Sequence, residues 1–69
     1  MNKFAERLKE LRLEEQLTQI TLAEKTGLSQ SSIAKWESGK RTPTLECQII
    51  LAKFFNVSLD YLAGLSDEY

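Results

Sequence analysis

The stretch that most constrains this chain of 69 residues runs from Thr18 to Pro43, TQITLAEKTGLSQSSIAKWESGKRTP. Its punctuation admits few folds. Thr18 is a good N-cap for a helix over residues 19–25, because a hydroxyl there accepts a hydrogen bond from a free backbone N–H of the first turn. The acidic residue that a capping box places three positions on is Thr21 instead. Gly27 stands where a helix ends in a left-handed residue, which glycine adopts without a Cβ clash, and Leu28 plugs the turn. Ser29 caps a further helix that runs to about Ser38 before Gly39 ends it. Leu22, Ala23, Leu28, Ile33 and Trp36 can all face one way, leaving Gln30, Ser31, Ala34, Lys35 and Ser38 outward. The stretch therefore reads as two short helices joined by a tight glycine turn, then a basic loop closed by proline. Its outward face offers short polar hydrogen-bonding groups rather than a brush of charges.

The flanks supply three more helices. Residues 2–15 carry Phe4, Leu8 and Leu11 as a core stripe, while Glu6, Arg7, Lys9 and Glu10 interleave signs on what reads as the wet side. Arg12 lies next to the stripe, so its head can reach a neighbouring helix. Thr42-Pro43-Thr44 marks a boundary, since proline disfavours helical geometry in the residue before it. Pro43 or Thr44 opens a fourth helix whose apolar residues, Leu45, Cys47, Ile49, Ile50, Leu51, Ala52, Phe54 and Phe55, wrap nearly all round. Such a helix is central to a core or covers an interface. Asn56 terminates it, Ser58 caps a short fifth helix over Leu59 to Ala63, and Gly64 ends that. No strand pattern or internal repeat is present, and the expectation is a single all-α domain over residues 1–69.

Composition narrows the function. A net charge of −1 and a pI near 5.3 argue against a blanket nucleic-acid binder, but the charge is unevenly placed. Residues 1–15 are balanced; residues 16–43 carry Lys25, Lys35, Lys40 and Arg41 against only Glu24 and Glu37; residues 44–69 carry Lys53 against Glu46, Asp60, Asp67 and Glu68. Positive charge sits on the central stretch. The single Cys47 cannot form an internal disulfide and most simply serves as a small buried apolar residue, and the absence of His removes the usual Cys/His zinc spacings, so no metal or cofactor is expected. No run approaches the 18 apolar residues of a membrane span, and NKFAERLKE after Met1 is no signal-peptide core, which points to a cytoplasmic protein without membrane contact. There is no Gly-rich phosphate loop and no paired catalytic carboxylate, so an enzyme is not expected. Below roughly 70–80 residues a core seldom supplies more than about 3–5 kcal/mol, which makes a partner chain or ligand a reasonable expectation.

With these residues in view, LTQITLAEKTGLSQSSIAKWESGKRTP resembles the Cro/Xre-type helix-turn-helix family, the DNA-binding domain of lambda-like phage repressors. The resemblance extends from ERLKELR to VSLDYLAG and rests on a small residue in mid second helix, glycine at the turn, and apolar residues where the helices cross: Ala23, Gly27, Leu22, Leu28, Ile33 and Trp36. Two departures stand out: Thr26, where the family has an apolar residue, and Ile20-Thr21, where it has polar or acidic ones. The resemblance implies a compact five-helix, lambda-repressor-like domain. It further implies a bacterial or phage-encoded transcriptional regulator, a repressor, that binds a pseudo-palindromic double-stranded DNA operator as a homodimer through the major groove and joins the nucleoid when bound.

It also implies roles. Gln30, Ser31 and Ser32 open the recognition helix, whose first residues reach base edges in this family. A Gln amide can pair with adenine N6 and N7, Ser can donate or accept, and Lys35 can reach guanine O6 and N7, each good pair discriminating by roughly 1–3 kcal/mol. Ser31 and Lys35 share the outward face; Ser32 lies nearer the flank, where it can touch phosphate instead. Gln19 matches the family's phosphate anchor, aided by the free N–H groups of its helix. Thr18, Ser29, Lys40, Arg41 and Thr42 complete the expected phosphate contacts, which fix register without reading sequence. Glu37, near a helix C-terminus and beside Trp36, needs a cation, and Arg12 is the candidate for a structural ion pair; Trp36 is read as core. Phe54, Val57, Leu59, Tyr61 and Leu65 exceed what one small core needs and are assigned to dimerisation. The rival expectation is a protein-interaction module whose acidic tail and exposed Ile20 bind a regulatory partner protein.

Overall fold

Every helix after the first begins at a hydroxyl. In the computed structural model, which describes residues 3–69, the elements are α1 (Lys3–Glu14), α2 (Gln19–Thr26), α3 (Gln30–Glu37), α4 (Leu45–Phe55) and α5 (Leu59–Ala63), with no strand among the described residues. The expected start of the first helix at residue 2 lies outside the described residues. The four N-caps are Thr18, Ser29, Thr44 and Ser58, each accepting from the backbone N–H three residues on at 3.0–3.3 Å. Each such cap stabilises its helix by about 1 kcal/mol. Thr44, rather than Pro43, opens α4, and Pro43 is buried in the loop before it.

The helix ends are equally defined. Gln16 at φ 59° and Asn56 at φ 57° follow α1 and α4 in the left-handed conformation. After α1, Leu17 N–H donates to Arg12 C=O at 3.0 Å and Gln16 N–H to Leu13 C=O at 2.9 Å, the Schellman arrangement that turns the chain sharply into α2. Thr26, where an apolar residue was expected, has its hydroxyl bonded back to Leu22 C=O at 2.8 Å and accepting from Leu28 N–H at 3.3 Å. Its polarity is thus satisfied inside the turn.

Each helix contributes one completely buried side chain to the centre: Leu8, Leu22, Ile33, Leu51 and Leu62. Burial of such a residue contributes about 1.5–3 kcal/mol. Phe4, Leu11, Ala23, Trp36 and Ala52 surround them. The first helix packs against α3 and α5, α2 against α3 and α4, and α4 against α5.

One expectation needs correction. Arg7 is not on a wet face: it is 7% exposed. Its guanidinium donates to Tyr61 C=O at 2.6 Å, to Ser66 C=O and to Asp67 Oδ1 at 2.7 Å, and lies 4.1 Å from the Tyr61 ring centre. It clasps the residues after α5 to the first helix. The fourth helix, read as either central to a core or covering an interface, is enclosed over only part of its surface. Leu51 and Ala52 are buried, but Ile50 is 39% and Phe54 36% exposed one turn apart on one side, and Leu45, at the start of the helix, is 63% exposed.

Candidate nucleic-acid interface

The third helix is fixed from behind and open in front. Ile33 and Trp36 are buried on its inner side, while Gln30, Ser31 and Lys35 are exposed. Ser32 is half-buried, as is Ala34, which lies on the flank rather than fully outward. The three hydroxyls at the start of the helix touch: Ser29 Oγ caps Ser32 N–H, and lies 3.0 Å from Ser31 Oγ and 3.1 Å from Ser32 Oγ. A hydroxyl has one hydrogen and two lone pairs, so these contacts pre-align the serines without exhausting them.

The N-terminal ends of α2 and α3 open onto one groove. Thr18, Gln19, Ile20 and Gln30 line it, with Leu13 and Gln16 from the end of α1. Gln19 and Gln30, assigned to phosphate and base respectively, are therefore neighbours along one surface. Lys40, Arg41 and Thr42 are all exposed in the loop after α3, whose start is held by a bond from Lys40 N–H to Lys35 C=O at 2.9 Å.

At the base of the groove, which Arg12 also lines, Arg12 and Glu37 form a bidentate pair, Nε to Oε2 at 2.7 Å and Nη2 to Oε1 at 2.9 Å. Both side chains are about nine-tenths covered. Arg12 also donates to Leu17 C=O at 2.8 Å, and Gln19 Nε2 donates to Glu37 Oε1 at 3.1 Å. The hydrogen bonds it donates to Glu37 hold the Arg12 guanidinium above its usual pKa against the opposing effect of burial. This ion pair therefore joins α1, the turn after it, α2 and α3 in one polar junction. Sequence reasoning found the pair but not its link to Gln19, for which the spacing gives no signal. For Arg7 a signal exists: with Phe4, Leu8 and Leu11 it completes the i, i+3, i+4, i+7 spacing of the buried stripe.

Of the residues assigned to dimerisation, Val57, Leu59 and Tyr61 pack against the chain's own core. Phe54 and Leu65 are exposed, Leu65 by 80%. Among the described residues no acidic or sulfur-bearing cluster has metal-site geometry, and no helix is long and apolar enough to cross a membrane.

A capped helix pair with a glycine turn, the second helix backed by the core and presenting amide, hydroxyl and amine groups, defines a helix-turn-helix DNA-binding domain. A helix-turn-helix family model matches residues 8–62. The chain belongs to this Cro/C1-type helix-turn-helix family, whose members are DNA-binding transcriptional regulators and not enzymes. An uncharacterized HTH-type transcriptional regulator of Bacillus subtilis (strain 168), YobD, is 40% identical over 65 residues, 94% of this chain and 58% of that protein. The HTH-type transcriptional activator BcrR of Enterococcus faecalis is 46% identical over 59 residues, 86% of this chain and 29% of that protein. This chain thus spans little more than half of the one and under a third of the other. The P22 c2 repressor protein in complex with a synthetic operator superposes with a TM-score of 0.86 and 27% identity, over 96% of this chain and 100% of that one.

Proposed function

We propose that this domain reads a pseudo-palindromic operator as a homodimer, with α3 in the major groove of each half-site, and that its regulatory action is repression. The observation that carries the reading is the two-sidedness of α3: Ile33 and Trp36 buried, Gln30, Ser31 and Lys35 exposed. Gln30 has the paired donor and acceptor that adenine presents, and Lys35 the donor that guanine accepts. Gln19, Thr18 and Ser29 at the helix starts, and Lys40, Arg41 and Thr42 in the loop, hold the sugar-phosphate backbone; Ser32, half-buried, stands between the two roles. The likeness to the operator-bound P22 repressor supports repression, while the activator among the relatives shows that the domain type also serves the opposite outcome.

The molecule measures 27 × 23 × 21 Å. Half-sites lie about one helical turn, roughly 34 Å, apart, so one copy cannot reach both and a symmetric site needs two. The exposed Ile50 and Phe54 of α4, one turn apart on one side, together with Leu65, are the apolar surface for that pairing. Selection of bound duplexes from a random library tests the reading, with Gln30→Ala and Lys35→Ala beside the parent. A palindromic site in which each substitution relaxes particular positions is expected; no enrichment at low salt overturns it.

A second reading rests on Leu13 and Ile20, 54% and 55% exposed beside the groove, which suit a regulatory protein partner. Salt separates the two. DNA binding that neutralises Z phosphates loses affinity with a log–log slope of about −0.9Z, whereas an apolar protein interface responds weakly.

A further inference from the structure

The polar junction at the base of the groove ends in a group that faces DNA in the reading above, on which this inference rests. Gln19 sits in the first turn of α2, half-buried, and a carboxamide there could present either its oxygen or its nitrogen to the outside. The two are nearly the same size, so packing alone does not choose between them; only hydrogen-bond partners do. Here the partner is Glu37 Oε1, an ionised acceptor that accepts an N–H and repels a carbonyl oxygen. Gln19 Nε2 therefore faces it at 3.1 Å. The carboxylate is itself immobile: Arg12 holds it through Nε at 2.7 Å and Nη2 at 2.9 Å, and Arg12 is anchored in turn on Leu17 C=O at 2.8 Å.

We infer that Glu37 is a positioning residue for DNA binding: fixed by Arg12, it sets the rotamer and sense of the Gln19 carboxamide, leaving its second N–H for a backbone phosphate at the N-terminus of α2. Glu37 and Arg12 touch no DNA in this arrangement. Their contribution reaches the phosphate only through Gln19, and it is uniform over sequence because a phosphate carries no base information. The Coulombic cost of a carboxylate near a phosphate is cancelled by the paired guanidinium, so the junction brings orientation without net negative charge.

The test is a double-mutant cycle on affinity for a fixed mixed-sequence DNA duplex at low ionic strength, read by fluorescence anisotropy at a temperature where thermal unfolding shows every variant folded. One arm is Gln19→Ala. The other is the paired replacement Arg12→Met with Glu37→Leu, which removes the carboxylate without leaving an orphaned buried charge and is tolerated at comparable buried pairs. Loss of a hydrogen bond to a charged group is expected to make Gln19→Ala bind about tenfold more weakly. The paired replacement should weaken the parent severalfold and add nothing in the Gln19→Ala background, while its effect on unfolding persists in both. Equal weakening in both backgrounds, or none in the parent, overturns the positioning role and leaves Gln19 as a phosphate contact. An unchanged affinity for Gln19→Ala overturns that contact and the positioning with it, and a parent that binds no duplex overturns the DNA reading as a whole.

Discussion

Single residues divide sharply in what they hold. Glu37→Gln leaves the Arg12 guanidinium buried and short of its charge partner, and removal of one member of a buried pair costs about 3–5 kcal/mol; denaturant unfolding should show a loss of that order with little change in base preference. Arg7→Ala strips hydrogen bonds from Tyr61 C=O and Ser66 C=O and should cost about 2–3 kcal/mol. Asp67→Ala, at the same guanidinium but 98% exposed, should change stability little. Gln16→Gly should raise stability by about 1 kcal/mol, because φ 59° costs a side-chain-bearing residue what glycine escapes. Sequence placed Arg12 beside Glu37 because an acid at a helix end next to Trp36 demands a cation. It misplaced Arg7 because alternating signs argue for solvent, and the carbonyls that receive its guanidinium leave no mark in side-chain chemistry.

Elements were more legible than their surfaces. Caps are local: Thr18, Ser29 and Ser58 announce α2, α3 and α5, and Asn56 and Gly64 announce two ends. The bare side of α4 was not legible, since an all-round apolar pattern is the same whether a helix is enclosed or leaves Leu45, Ile50 and Phe54 to solvent. Junctions between elements carry their own predictions. At Gly64, φ 85°, an added Cβ would overlap the Lys3 side chain at its Cβ, whereas Gly39, φ 78°, has open space around it. Gly64→Ala should therefore destabilise more than Gly39→Ala, by about 1–3 kcal/mol against about 1 kcal/mol in thermal unfolding. At the end of α5, burial first, then the charge and hydrogen bond of Tyr69, push the Tyr61 phenol above its usual pKa. The neutral phenol is thus the form the fold favours. Its contribution is whole below the unfolded phenol's pKa and is lost as pH rises through the folded one. Tyr69→Phe should flatten part of that alkaline decline in denaturation measured against pH.

For the whole molecule the prediction concerns assembly. A domain 27 Å in its longest extent is too short to span two half-sites of the proposed operator, and the apolar side of α4 is the pairing surface proposed for a second copy. Sedimentation at tens of micromolar, with and without the selected DNA, should show a dimer that Phe54→Glu disperses; a monomer in every condition counts against the interface. The five-helix domain was legible throughout because caps, turns and stripes agree. The proposed pairing surface was legible only as a surplus of apolar residues, and the structure divides that surplus, packing Val57, Leu59 and Tyr61 partly buried against the chain's own core and leaving Phe54 and Leu65 exposed.

The clasp at Arg7 bears on how such a chain is made. Synthesis delivers α1 early, yet the acceptors of its guanidinium are Tyr61, Ser66 and Asp67, and one of its two main packing partners is α5. A nascent chain halted after α4 has the caps of α2, α3 and α4, its glycine turn and the residues proposed to face DNA, but lacks the buried site for that guanidinium. The Arg7 contacts of the finished fold are complete only once residues 61–67 are present, and a translational pause before them would leave α3 on a scaffold without that clasp.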